Sequence, residues 1–161
     1  MAKNKREQYI VFAEFDNNGT KTYEAIGKDN EDMSRTMNNE VESFKNVLGV
    51  TEVTVTKGAQ TTTVDPFKME SDSAMSQFLQ DIYYQDLDGS DVEMSFIEVS
   101  LQAGDGDDTT YPAFRQTGAI DVKSIGGDTK GITVPFDINW KGERVYGTFN
   151  PTTKEFTAES A

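Results

Sequence analysis

The chain has 161 residues, a formal net charge of −13, and neither cysteine nor histidine. That length suits one domain with a core of its own, and the missing residue types exclude disulfides, Cys/His zinc sites and every Ser-His or Cys-His nucleophile. No Lys or Arg lies between Lys68 and Arg115, a stretch that holds eleven acids; such a surface repels nucleic acid and acidic lipid, or simply keeps the protein in solution.

The opening MAKNKREQ lacks the apolar core of a secretory signal, and no run approaches the roughly 18 apolar residues of a membrane helix. Residues 8–15 place Tyr9, Val11, Ala13 and Phe15 on one face and Ile10 and Phe12 on the other. This predicts a strand buried on both sides, or one buried partly by another subunit. Asp16-Asn17-Asn18-Gly19 reads as a turn, and 20–27 as the returning strand. Residues 30–50 support two readings. Met33, Met37, Val41, Phe44 and Leu48 have near-helical spacing, yet Met33, Arg35 and Met37 also alternate, and Asn38-Asn39 interrupts them. We read a strand followed by an extended arm.

Residues 50–56 and 60–64 are rich in Val and Thr and flank Lys57-Gly58-Ala59, which predicts a hairpin between them. It is either an ordinary surface hairpin or one that projects and packs on a neighbour. Asp65-Pro66 ends the strand. A helix over about 72–86 follows, because Met75, Phe78, Leu79, Ile82 and Tyr83 form an apolar stripe, with Ser71, Asp72 and Ser73 as candidate caps and Gly89 beyond the end. In 92–102, Val92, Met94 and Phe96 alternate in one phase and Ile97, Val99 and Leu101 in the other. Either a bulge at Phe96-Ile97 restores the phase or both faces are covered. The polar loop 103–110 leads to 111–124, a strand pair or one long bent strand with Gly118 at the break.

The last quarter carries the clearest pattern. Ile132, Val134, Phe136, Ile138 and Trp140 alternate with Thr133, Pro135, Asp137, Asn139 and Lys141, which predicts a strand with one apolar face. Lys141-Gly142 reads as a turn, and Val145, Gly147 and Phe149 as the apolar positions of a returning strand. Pro135 removes a backbone donor, so the strand should be an edge or be bulged there. The whole is one mainly β domain over 1–161: a β-sandwich or partly rolled barrel, one amphipathic α-helix, and a long projecting arm or hairpin at about 40–70.

Candidate chemistry is sparse. Asp86-Leu87-Asp88-Gly89-Ser90-Asp91-Val92-Glu93 invites a calcium reading, but its Gly stands fourth and its Glu eighth, where an EF-hand loop needs sixth and twelfth. An irregular oxygen site there or at Gly104–Asp108 stays open. GGDTKG (126–131) lacks phosphate-loop spacing and precedes a strand, so it is a turn. Among 28 acids, a carboxylate pair of glycosidase type is expected by chance. No residue is assigned a catalytic role, and no cofactor or metal is expected.

The closing Val134-Pro135-Phe136, Ile138, Gly142 and Gly147-Thr148-Phe149 resemble the C-terminal hairpin of the major tail protein (tail tube protein) of long-tailed, non-contractile bacteriophages. The Thr-rich strand, Val64-Asp65-Pro66-Phe67 step and single helix of 61–85 are similar to the same family, as is Gly118–Asp128; the likeness covers roughly 40–157. The resemblance implies a non-enzymatic virion protein, made in the host cytoplasm. It would form hexameric rings whose inner strands join around a lumen and whose arms bridge stacked rings. It implies a tape measure protein, a tail terminator and a distal tail protein as partners, with DNA passing through without specific binding. Candidate inter-subunit residues are Val53, Val55, Thr61, Thr63, Asp65, Pro66, Thr133 and Pro135. Candidate acids lining the lumen are Glu93, Glu98, Asp121 and Asp137. From another class comes a monomeric β-sandwich module binding carbohydrate or protein, with calcium as an optional stabiliser; a carboxylate-dependent glycosidase is a third reading.

Overall fold

A computed structural model of the chain describes residues 3, 5–101 and 110–159. Among these the strands run β1 (Tyr9–Asn17), β2 (Thr20–Ile26), β3 (Arg35–Thr36), β4 (Glu40–Lys45), β5 (Thr51–Thr56) and β6 (Thr61–Val64), then the helix α1 (Ala74–Tyr84). After it come β7 (Glu93–Ser100), β8 (Tyr111–Val122), β9 (Gly126–Asp128), β10 (Gly131–Thr133), β11 (Phe136–Asn150) and β12 (Glu155–Ala158). The fold is mainly β with one α-helix, and its antiparallel sheets stay open in a sandwich-like arrangement. The principal sheet has the order β2-β1-β7-β8-β11-β6-β3, with β12 also on β11; β9–β10 and β4–β5 are separate two-stranded pieces.

Both faces of this sheet bury apolar side chains. One carries Val11, Ala13, Phe96, Ile120, Phe136, Ile138 and Trp140 beneath Met75, Leu79 and Ile82 of α1. The other curls over a second cluster of Phe12, Tyr23, Ile97, Val99, Ala113 and Phe149. This explains the two phases of β7. Its ladders to β1 and β8 run without a register shift, so no bulge resets it. Phe96 faces the helix, Ile97 and Val99 face the second cluster, and all three are fully buried. The double-faced β1 follows the same logic, with Val11 and Phe12 in different clusters.

The helix forms where its stripe predicts. The Ser73 hydroxyl oxygen accepts from the Ser76 amide at 3.1 Å as N-cap. Glu24 on β2 accepts from the Ser73 hydroxyl at 2.5 Å and the Met75 amide at 2.8 Å, which ties the helix start to the sheet edge. Tyr83, placed on the buried stripe, instead points to solvent.

Two strand assignments are corrected. The closing segment is not a hairpin: β11 is one strand whose halves both pair with β8, with a register shift between Lys141 and Val145. Gly142, at φ 75°, makes an outward bulge there rather than a reversal. β8 is likewise one long strand. Gly118 is required in it by close packing, since a Cβ would lie 2.5 Å from Ile138 Cγ2 and 3.0 Å from Phe96 Cε2. Second, β5 does not pair with 60–64. It pairs with β4, from Glu40↔Thr56 to Lys45↔Thr51, while β6 lies in the main sheet against β11. Ile132, expected on the buried face, is exposed, and Pro135 sits between β10 and β11, outside any ladder. The loop 103–110 lies outside the described residues except for Thr110.

Candidate assembly interface

The β4–β5 hairpin is the most unusual surface of the molecule. Every residue of both strands is exposed, although Val41, Phe44, Val53 and Val55 lie in the strands and Val47, Leu48 and Val50 at the tip. Val47 is 102% exposed and Leu48 83%. An isolated two-stranded hairpin is marginal in water without a surface to pack on, and a contiguous exposed apolar surface marks an interaction site. Its register sorts the side chains. Val41, Ser43, Lys45, Thr51, Val53 and Val55 share one face, and Glu40, Glu42, Phe44, Glu52, Thr54 and Thr56 share the other. One face is therefore apolar with a single lysine; the other carries three glutamates.

The root of the hairpin is fixed to the body. β3 pairs with β6 (Arg35↔Thr62, Thr36↔Thr61), and β4–β5 continues the same two chains with the register offset by one residue. Asn38 turns the chain at φ 54° and donates from Nδ2 to the Ala59 carbonyl at 2.7 Å. Gly58 fits against it only as glycine, because a Cβ would sit 1.6 Å from the Asn38 carbonyl oxygen.

Arg35 then anchors β3 in a buried polar cluster. Its Nε donates to Gln60 Oε1 at 2.7 Å and its Nη1 to Glu98 Oε1 at 2.8 Å, and its Nη2 donates to Gln116 Oε1. The guanidinium lies 4.2 Å from the Trp140 ring centroid. Tyr9 donates its hydroxyl to Glu98 Oε2. Burial, then the Glu98 carboxylate, push the Tyr9 phenol well above its ordinary range.

The sequence-predicted residues are divided by this arrangement. Val53 and Val55 stand on the exposed hairpin. Thr61 and Thr63 do not; they face the β11 residues Asn139 and Asp137 inside the main sheet. Asp65 and Pro66 follow β6 with a cis peptide bond. Thr133 pairs with Gly126 and bridges to Lys68, and the Pro135 carbonyl accepts from the Lys123 amide at 2.9 Å.

Of the four acids, Glu93, Asp121 and Asp137 lie on one polar face of the sheet, linked through Ala119 and the Asp137↔Asp121 pair. Lysines offset them: Lys123 lies 2.6 Å from Asp121 and 3.4 Å from Asp137, and Lys141 lies 2.5 Å from Glu93. Glu98 corrects the expectation. It points to the opposite, helix-side face, and its side chain is 3% exposed and paired with Arg35, so it lines no open surface of the subunit.

Sequence reading missed the hairpin residues Val41, Phe44, Val47, Leu48 and Val50 as an exposed set. It also missed a groove of about 370 Å³ between α1 and the β9–β10 piece, bordered by Met69, Tyr83, Tyr84, Ile125 and Ile132. Tyr84 is 82% exposed and Tyr83 61%. The available signal was that Tyr84 lies off the helix stripe. Among the described residues no group of three or more acids is placed to hold a metal ion, and no helix is long and apolar enough to cross a membrane. No protein-family model matches the chain, and no curated protein matches it.

Proposed function

We propose that this chain is a non-enzymatic subunit of a phage tail tube, which assembles into hexameric rings stacked around a conduit for DNA. The observation that carries the reading is the β4–β5 hairpin, whose apolar side chains stand in solvent on a rigidly pinned root. A monomer gains nothing from such an element, whereas an assembling subunit buries it. The resemblance of the 61–85, 118–128 and 134–149 segments to tail tube proteins supplies the kind of assembly. The edge strand β2, which among the described residues pairs only with β1, supplies an edge for a neighbouring sheet. On this reading the Glu93–Asp121–Asp137 face is the candidate lumen surface. Its lysine pairing gives it a mild rather than a strong negative charge.

A second reading has one observation in its favour. The Tyr83–Tyr84 pair beside a groove edged with Ser71, Gln77 and Gln80 is the kind of aromatic-polar surface a carbohydrate-binding module uses. Negative-stain microscopy of concentrated protein separates the two. Six-fold rings or tubes support the subunit reading. A monomer at every concentration, with a melting temperature raised by oligosaccharide, replaces it with the module.

A further inference from the structure

We propose that the groove between α1 and the β9–β10 piece of one copy receives the β4–β5 hairpin of the next, a head-to-tail contact that rests on the assembly reading above. Two surfaces of matching character, each without a partner among the described residues, lie on the same chain. The hairpin presents Val41, Val53 and Val55 on one face and Val47, Leu48 and Val50 at its tip. The groove presents Tyr83, Tyr84 and Ile132, all more than half exposed, above the partly buried Met69 and Ile125.

Charge is complementary at a single point. Lys45 is the one charged side chain on the apolar face of the hairpin, and among the described residues Glu70 is the one charged side chain lining the groove. Glu70 is tied to Lys28 on one oxygen at 2.5 Å and remains 41% exposed. The three glutamates of the other hairpin face would point away from it.

Topology makes the contact one between copies. The chain from Thr61 to Met69 runs antiparallel beside 139 to 132: Asn139 pairs with Thr61, Val134 donates its amide to the Phe67 carbonyl, and Met69 donates its amide to the Ile132 carbonyl. The hairpin leaves at the Thr61 end and the groove opens at the Met69 end, about 25 Å apart along extended chain. With its root locked at Asn38 and Gly58, a hairpin directed away from the groove cannot fold back into it. A tongue at one end and a socket at the other is a heterologous pair. Each added copy leaves one of each free, so growth is open along one axis.

The test uses full-length chains. A tongue variant (Leu48→Asp with Val53→Glu) and a socket variant (Tyr84→Glu with Ile132→Glu) alter only exposed side chains, so both should retain the circular dichroism of the unmodified protein. In sedimentation velocity each alone is expected to be a monomer, with association weakened at least tenfold. Mixed in equal amounts, they should form a dimer that grows no further, through the one intact tongue and the one intact socket. The cysteine-free chain allows a direct check: Leu48→Cys on one copy should cross-link to Gln80→Cys on another through a short bismaleimide. If the socket variant still assembles like the unmodified chain, the groove assignment is overturned and the subunit reading survives. If the unmodified chain associates but forms neither rings nor tubes, the subunit reading fails, and the mixed pair decides the contact by itself: a dimer sustains it and monomers overturn it.

Discussion

The Arg35 cluster offers the sharpest test of how the hairpin is held. The side chains of Arg35 and Glu98 are 12% and 3% exposed, so the ion pair between them is close to fully desolvated. Replacing Arg35 with Met removes donors to Gln60, Glu98 and Gln116, and strands the Glu98 carboxylate with only the Tyr9 hydroxyl. Truncating one partner of a buried pair costs about 3–5 kcal/mol, a large share of the roughly 5–15 kcal/mol that holds a domain folded. Arg35→Lys keeps the charge but cannot satisfy three acceptors set around a planar fork, and should cost about 2 kcal/mol. The double variant Arg35→Met with Glu98→Leu should recover much of the loss, because no charge is then left buried. Urea unfolding measures five proteins, the parent, these three variants and Glu98→Leu alone, read as changes in midpoint at constant m-value. It is best done in the non-assembling tongue variant, so that association does not mask folding. An Arg35→Met protein within about 1 kcal/mol of its parent, or a double variant no better than the two singles added, would refute the reasoning.

Three further outcomes are expected. Replacing residues 41–55 with Asn-Gly should abolish assembly yet keep the subunit folded, with a melting temperature within about 3 °C, since no hairpin strand is buried against the body; an insoluble or molten product would contradict this. Gly118→Ala should cost about 1–3 kcal/mol by forcing Ile138 and Phe96 apart, and a neutral result in thermal unfolding would show that the sheet yields there. Tyr9 and Tyr23 both titrate above their ordinary 10.0 in the folded chain, through burial first and then Glu98 and Glu14 respectively. The protonated phenols therefore contribute stability that is complete below pH about 10 and lost as pH rises beyond it. Denaturant midpoints should fall above pH 10, less steeply in Tyr9→Phe with Tyr23→Phe; equal slopes would remove these residues from the alkaline transition.

Local pattern revealed the elements whose burial is decided by their own periodicity. The stripe of Met75, Leu79 and Ile82 and the cap at Ser73 identified α1, and the alternation of Val134, Phe136, Ile138 and Trp140 identified a buried face. What pattern could not reveal was pairing. Lys141-Gly142 reads equally well as a turn or a bulge, and the choice falls to β8, which is long enough to pair with both halves of β11. The same holds for β5. Asn46-Val47-Leu48-Gly49 is the true reversal, with Gly49 at φ 80° and Asn46 Oδ1 accepting from the Leu48 and Val50 amides. It was hidden because Met33 to Leu48 also falls at helical spacing. Charge alone marks an acid as a candidate for a lumen, and Glu98 shows the weakness of that criterion: in a strand covered on both faces, parity decides which side an acid meets. Its partner Arg35 lies 63 residues away in sequence, beyond any local signal.

The ladder that continues from β3–β6 into the hairpin has a mechanical consequence. Tension on the hairpin along its own axis passes straight into β6, which is held between β3 and β11 by rungs lying across the pull. The rungs from Val64 to Thr61 would then share the force at the same moment, as stitches do in a lap seam, rather than parting one after another as a zip does. A hairpin rooted in this way resists being drawn out lengthwise and, pinned where Asn38 meets Gly58, resists swinging aside as well. On the assembly reading proposed above, that stiffness would let each hairpin carry an end-on load without parting from its own sheet.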